Sequence, residues 1–141
     1  LLQDSGIPVM AHIGFTPQSE HVLGGYRVQG RGAGAAERMT VSARALEAAG
    51  AFAVLMEMVP SDVAAAVDAA LRVPTVGIGA GPGTTGQVLV WQDMLGLREG
   101  RVPRFVRQYA RLHEVVGEAV RAYRADVLDG AFPAPEHGFE G

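Results

Sequence analysis

Short apolar segments alternate with amphipathic helical patterns along most of this chain, and this alternation constrains its fold more than any other feature. Strand patterns alternating with helix patterns predict parallel βαβ units. Their right-handed crossovers build either an open parallel sheet or a closed barrel. The chain is therefore predicted to be an α/β protein. Its predicted strands are Ile7–Ala11 (ending at His12), Ala51–Pro60, Val73–Ile78 and Gln87–Trp91.

Four strands are too few for a closed (β/α)8 barrel, which takes eight strands and typically about 250 residues. A chain of 141 residues is then either a small open domain or about half a barrel. The first residue is Leu1 rather than methionine, and residues 1–6 resemble the last turn of a helix that stops at Gly6. This opening favours half a barrel. We expect residues 1–141 to form a single partial domain of about four βα units, with helices at about 103–129 and a tail at 130–141.

Two helices are predicted between the strands. The first covers residues 35–49 and stops at Gly50, and the second begins after Ser61 as its N-cap. The first helix is predicted to bury one face, made of Met39, Val41, Ala45, Leu46 and Ala49.

Composition excludes several classes of function. A net charge of −3 provides no basic field for nucleic acid. The chain has no cysteine, which excludes disulfides and thiolate catalysis and fits a cytoplasmic location. Every basic side chain is arginine, so no lysine is present to form a Schiff base. No apolar run approaches the roughly 20 residues of a membrane-spanning helix.

Glu57 is the candidate site residue with the clearest physical argument. It ends an otherwise apolar segment, and a carboxylate is rarely buried without a partner. Functional groups of parallel α/β proteins collect at the carboxyl ends of the strands. Burial would raise its pKa, as a base that takes a proton from carbon at neutral pH requires. The structural alternative is an ion pair with Arg27 or Arg31.

His12 is the second candidate, because it also follows a predicted strand. Its structural alternative is a half-buried histidine bonded to a backbone carbonyl. The glycines between Gly77 and Gly83 do not have the spacing of a dinucleotide-binding loop, and they predict instead a backbone that passes close to a ligand or a neighbouring loop. Asp93 is interpreted as either a ligand or an N-cap, of which we favour the N-cap, and His113 is interpreted as a solvated helical residue.

Several longer motifs, in order and in register, closely resemble the 3-methyl-2-oxobutanoate (ketopantoate) hydroxymethyltransferase family. The resemblance covers essentially the whole chain. The motifs are Gly6–Ser19, Leu23–Arg31, Glu57–Pro60, Pro74–Gly83, Gly86–Gly96 and the tail signature Phe132–His137.

The resemblance implies a (β/α)8 TIM-type barrel, of which this chain would be the C-terminal half with strands 5–8. It implies transfer of a hydroxymethyl group from 5,10-methylenetetrahydrofolate to 3-methyl-2-oxobutanoate, giving 2-dehydropantoate for pantothenate and coenzyme A biosynthesis. Glu57 matches the family's proton acceptor, and His12 matches a histidine beside the bound substrate. The resemblance also implies Mg²⁺, which stabilises an enolate, and a cytoplasmic homo-oligomer, a decamer.

The metal-binding acids of the family, and its substrate-binding serine and lysine, belong to the earlier strands. We therefore expect no metal ligands in this chain and no turnover by the chain alone. Two alternatives remain open: a non-catalytic remnant that acts only in assembly, and another keto-acid lyase on a similar barrel. We expect small-molecule substrates as partners, and we expect no binding to nucleic acid or to a membrane.

Overall fold

The computed structural model describes residues 2–141 and divides the chain into two compact units, Leu1–Leu89 and Val90–Gly141. The single partial domain expected for residues 1–141 stays a prediction. The first unit contains the strands β1 (Met10–Gly14), β2 (Ala53–Glu57), β3 (Thr75–Ile78) and β4 (Gly86–Gln87) and the helices α1 (Ala35–Ala48) and α2 (Ser61–Ala70). The second contains α3 (Trp91–Met94) and α4 (Leu112–Asp129). Short 3₁₀ turns lie at Gln3–Ser5, Pro17–Ser19 and Pro135–His137.

The four strands form one sheet in the order β1-β2-β3-β4, and every pair is parallel. Helices α1 and α2 provide the crossovers between β1, β2 and β3. The predicted α/β class with a parallel sheet is therefore confirmed. No helix lies between β3 and β4 in the described chain, where the glycine-rich segment connects the two strands.

One face of the sheet packs against the two helices and forms the core. The side chains of Val54 and Met56 point to this face and are fully buried. They pack with Ala43 of α1 and with Val63 and Val67 of α2. Helix α2 begins directly after Pro60, so Ser61 is its first residue and not the predicted N-cap.

The opposite face of the sheet is apolar but only partly covered. Side chains alternate along a strand, and partners in a parallel pair share a face. Met10 on β1 and Val88 just after β4 belong to this face, and each is 42% exposed. We call it the open face. Its other members are His12, Ala53, Leu55, Glu57, Val76 and Ile78, of which Ala53 and Ile78 are buried.

Two carboxylates connect the helices to the sheet. Glu47 of α1 accepts hydrogen bonds from the backbone N–H groups of Arg72 and Val73, at 2.6 and 3.0 Å. Asp68 of α2 accepts bonds from the hydroxyl of the buried Thr75 and from the N–H and hydroxyl of Thr85. The hydrogen bonds to Asp68 hold the connection between β3 and β4 in place.

The glycine-rich segment after β3 passes close to a neighbouring element, which is helix α2 rather than the predicted ligand or loop. A Cβ added to Gly81 would lie 2.1 Å from Oγ of Ser61, and one added to Gly83 would lie 2.8 Å from Cβ of Ala65. These glycines are therefore required by a close backbone approach to the helix.

Two strand predictions were displaced. The first strand spans Met10–Gly14 and so begins three residues later than predicted. Pro8 has no N–H to donate to a neighbouring strand. Hydrogen bonding to the segment before β2 starts at Val9, whose carbonyl accepts from the N–H of Phe52. The fourth strand ends at Gln87, and Trp91 already belongs to α3. Asp93 lies inside this short helix, whose N-cap is Val90, so its prediction as an N-cap was wrong.

In the second unit the predicted helix at 103–129 begins only at Leu112 and runs unbroken through Gly117. Residues 103–106 form a turn instead, in which the N–H of Val106 bonds to the carbonyl of Pro103. His113 is not simply solvated, because its Nδ1 lies 2.7 Å from the carbonyl oxygen of Gly96.

Candidate functional site

The register of β1 and β2 brings the two candidate site residues together on the open face. Gly14 pairs with Glu57 at the carboxyl ends of the two strands, and His12 lies two residues before Gly14. Residues two apart share a face, so the side chains of His12 and Glu57 point the same way. Gly14 has no side chain between them, and the imidazole can reach diagonally to the carboxylate.

His12 and Glu57 are in direct contact. Nε2 of His12 lies 3.2 Å from Oε2 of Glu57, and their side chains are 31% and 17% exposed. The two atoms are at ion-pair distance, and the buried Nε2 has no hydrogen-bond partner among residues 2–141.

Burial raises the pKa of Glu57 above its ordinary value of 4.5, and the neighbouring His12 opposes part of this shift. Desolvation disfavours the ionised carboxylate, which makes it a stronger base than an exposed glutamate. The proposed ion pairs of Glu57 with Arg27 or Arg31 are absent from the described part of the chain, where the side chain beside its carboxylate is that of His12. His12 likewise makes no hydrogen bond to a backbone carbonyl within residues 2–141.

The backbone around Glu57 is held on three sides. The carbonyl of Glu57 accepts a hydrogen bond from the N–H of Phe15 at 2.8 Å, and the N–H of Met58 donates to the carbonyl of Ile78 at 2.9 Å. The carbonyl of Met58 accepts from the N–H of Gln29 at 2.9 Å. Met58 has φ of +51° and is the sole non-glycine residue with positive φ in the described chain. Sequence reasoning missed this feature, because methionine carries no signal for a left-handed conformation.

A cavity of about 450 Å³ lies near this rim, but on the other side of the sheet. It is lined by Ile13 of β1, by Gln29 and Arg31 of the following loop, and by Arg38 and Met39 of α1. Neither His12 nor Glu57 lines it. The candidate site is therefore on the open face and not in this cavity.

The residues that the structure describes do not fit a metal site by themselves. Mg²⁺ prefers near-octahedral coordination by oxygen. Within residues 2–141, no three histidine, aspartate or glutamate side chains lie together as a ligand set. The pair of His12 and Glu57 offers a single carboxylate.

In the same described range, no helix is long and apolar enough to cross a membrane.

A family model described as ketopantoate hydroxymethyltransferase matches residues 1–135. This chain belongs to the ketopantoate hydroxymethyltransferase family. The match covers nearly the whole chain, so the resemblance read from its motifs is confirmed.

Curated relatives in this family are closely similar to the chain. A 3-methyl-2-oxobutanoate hydroxymethyltransferase of Paenarthrobacter aurescens (strain TC1) is 69% identical over 135 residues, which is 96% of this chain and 44% of the relative. The protein of the same name from Nocardioides sp. (strain ATCC BAA-499 / JS614) is 67% identical over 98% of this chain and 46% of its own length. The one from Streptomyces coelicolor (strain ATCC BAA-471 / A3(2) / M145) is 61% identical, with 97% and 47% covered. The chain thus spans about half the length of the curated relatives it matches.

Proposed function

We propose that this chain provides the base-bearing half of an enzyme that transfers a hydroxymethyl group to 3-methyl-2-oxobutanoate, giving 2-dehydropantoate for pantothenate biosynthesis. The observation that carries the proposal is the contact of His12 with Glu57, a carboxylate of raised pKa at the carboxyl ends of parallel strands. This is where parallel α/β enzymes assemble their active sites. The names of the relatives supply the reaction class.

In the proposed reaction, Glu57 is the proton acceptor. Its carboxylate takes the proton from C3 of the keto acid, and the electrons of the broken C–H bond form the C2–C3 double bond of an enolate. The electrons of the C2=O π bond move onto its oxygen in this step. The C2=O bond then re-forms as the electrons of the C2–C3 double bond make a bond from C3 to the one-carbon unit of the donor, and one carbon–nitrogen bond of the donor breaks. Water replaces the second nitrogen, which leaves with the donor, and supplies the oxygen of the hydroxymethyl group. A base with a raised pKa has a greater driving force for this first step than an exposed glutamate.

We assign His12 a supporting role beside the substrate. Its Nε2 is 3.2 Å from the Glu57 carboxylate and lacks a hydrogen-bond partner in the described residues. An imidazole beside the reacting carboxylate can orient the substrate or stabilise negative charge that develops on it. Leu55, Val76 and Ile78 of the open face offer apolar contacts for the branched carbon chain of a keto acid.

The remaining parts of the site lie outside these residues. We propose that this chain forms strands 5–8 of a (β/α)8 barrel and that the unmatched part of the relatives' length corresponds to the other half. The one-carbon donor is proposed to be 5,10-methylenetetrahydrofolate. The Mg²⁺ implied by the resemblance would need ligands beyond those that residues 2–141 offer. Homo-oligomeric assembly and a cytoplasmic location rest on the family alone.

The test is hydrogen–deuterium exchange at C3 of 3-methyl-2-oxobutanoate, followed by proton NMR. It uses a complemented protein, defined as this chain combined with the part of the P. aurescens relative that it does not match. Glu57→Gln keeps the shape of the side chain but removes its basicity, so exchange should fall at least about 100-fold. Glu37→Gln, which changes an exposed acid on α1, is the matched control and should exchange normally. Normal exchange by Glu57→Gln would reject its assignment as the base.

A second candidate is a non-catalytic role in assembly. The observation that favours it is the open face, where Met10 and Val88 stay 42% exposed. An assembling role would cover these two side chains in a contact with another polypeptide. Complementation distinguishes the two roles, because a purely assembling chain would restore the oligomer without requiring Glu57.

A further inference from the structure

Met58 adopts an unfavourable backbone conformation directly after Glu57. Its φ of +51° lies in the left-handed region, which residues with a Cβ rarely occupy. Glycine adopts this conformation readily, and the chain has glycine at 13 other described positions with positive φ. At position 58 the chain has methionine instead, and its Cβ restricts the backbone dihedral angles more than glycine would. Strained residues of this kind persist only where the surrounding structure holds them.

The peptide groups on both sides of Met58 are fixed by hydrogen bonds. The peptide between Glu57 and Met58 spans the sheet, because its carbonyl accepts from Phe15 after β1 and its N–H donates to Ile78 of β3. The next peptide is held by its carbonyl, which accepts from Gln29 in the loop between β1 and α1. The left-handed φ of Met58 sets the angle between the peptide groups before and after it.

This turn determines where β2 ends. An extended residue at position 58 would continue the strand past Glu57. Instead the chain turns, and Val59 enters the core, where it is 3% exposed, while Pro60 leads into α2. Glu57 becomes the last residue of β2, with its carboxylate beside His12 at the rim of the open face.

We propose that Met58 is a positioning residue, whose left-handed backbone, held by Ile78 and Gln29, keeps the Glu57 carboxylate partly buried beside His12. Replacement by glycine should keep the turn accessible but allow other rotations between the two peptide planes. The carboxylate could then swing toward solvent. The catalytic meaning of this proposal rests on the proposed function, whereas the placement of the carboxylate does not.

The experiment compares the unsubstituted complemented protein with Met58→Gly and Met58→Asn. Asparagine tolerates the left-handed region and, unlike glycine, restricts the backbone, so it should rescue the placement. Carbon-13 NMR follows the titration of the Glu57 carboxyl carbon, assigned by the signal lost in Glu57→Gln. Thermal unfolding confirms that each variant is folded.

We expect the titration midpoint of Glu57 to fall toward that of an exposed glutamate in Met58→Gly and to stay raised in Met58→Asn. C3 exchange should fall about tenfold or more in Met58→Gly, since small displacements of a reacting group are costly. Its acid limb should move to lower pH. A purely structural role would change the unfolding temperature alone. A folded Met58→Gly with an unchanged Glu57 midpoint would overturn the proposal.

The two proposals can fail separately. If the unsubstituted complemented protein does not exchange C3 hydrogen, the proposed function fails, while the Glu57 titration still decides the role of Met58. If exchange is normal and depends on Glu57 but the midpoint does not respond to Met58→Gly, only the positioning role fails.

Discussion

At the scale of single residues, the site depends on the lack of a side chain at Gly14 as well as on the side chains of His12 and Glu57. Gly14 has φ of +89°, and a Cβ added there would lie 2.3 Å from the carbonyl oxygen of Glu57 and 2.7 Å from Cγ2 of Val59. Backbone atoms cannot give way at such distances without displacing the end of β2. The glycine is therefore required by the close approach of the two strand ends and by its own conformation.

We predict that Gly14→Ala lowers the free energy of unfolding by roughly 3 kcal/mol, because strain and overlap act together. Gly32→Ala is the matched control, since Gly32 has φ of +92° but no described heavy atom within 4 Å of an added Cβ. It should cost only about 1 kcal/mol from the left-handed conformation. Urea unfolding followed by circular dichroism measures both. Equal losses would show that the contact with Glu57 is not tight.

The raised pKa of Glu57 predicts that the base costs stability at neutral pH. A carboxyl group whose pKa is higher in the folded state contributes fully below its unfolded pKa, and this contribution is lost as pH rises through the folded value. Glu57→Gln should therefore gain stability relative to the parent chain as pH rises above about 4.5. Urea unfolding between pH 4 and 8 measures the difference. A difference that stays constant with pH would mean that Glu57 is not desolvated.

At the scale of elements, Glu47 attaches α1 to the segment that enters β3. The hydrogen bonds from the N–H groups of Arg72 and Val73 lower the pKa of this carboxyl group below 4.5. The sign is opposite to that of Glu57: the contribution is present above the unfolded pKa and is lost as pH falls through the folded value.

We predict that Glu47→Gln is less stable than the parent chain at neutral pH and that this difference shrinks as pH falls below about 4.5. The lost interaction joins two elements, so hydrogen exchange should increase at the start of β3. Glu37→Gln on the exposed surface of α1 should show neither effect. A stability difference that persists unchanged at pH 3 would contradict the ionic character of this attachment.

The order of the elements could be predicted from the sequence, but their faces and ends could not. Apolar periodicity located α1 and α2, yet alanine-rich helices do not show which side is buried. Val41 was expected in the core and is 61% exposed, whereas Ala43 is fully buried. The candidate residues His12 and Glu57 were recognisable because polar groups at strand ends are unusual. Their contact depends on strand register, and the turn at Met58 depends on hydrogen bonds from distant segments.

At the scale of the whole molecule, the chain carries a candidate base but no set of metal ligands within residues 2–141, and one face of its sheet remains partly exposed. It spans 44% of the P. aurescens relative. We therefore predict that the 141-residue chain does not turn over 3-methyl-2-oxobutanoate and that the complemented protein does. Formation of 2-dehydropantoate by mass spectrometry measures turnover. Robust turnover by the chain alone would refute the division of the site between two halves.

The decisive control replaces Glu57 within the complemented protein. Glu57→Gln leaves the apolar members of the open face unchanged, so the two parts should still associate, as analytical ultracentrifugation can establish. Association without turnover would assign this chain both a structural and a chemical contribution, because assembly alone would then be insufficient for the reaction. Equal turnover with glutamine at position 57 would instead favour the purely assembling role, in which the open face matters and the carboxylate on it does not.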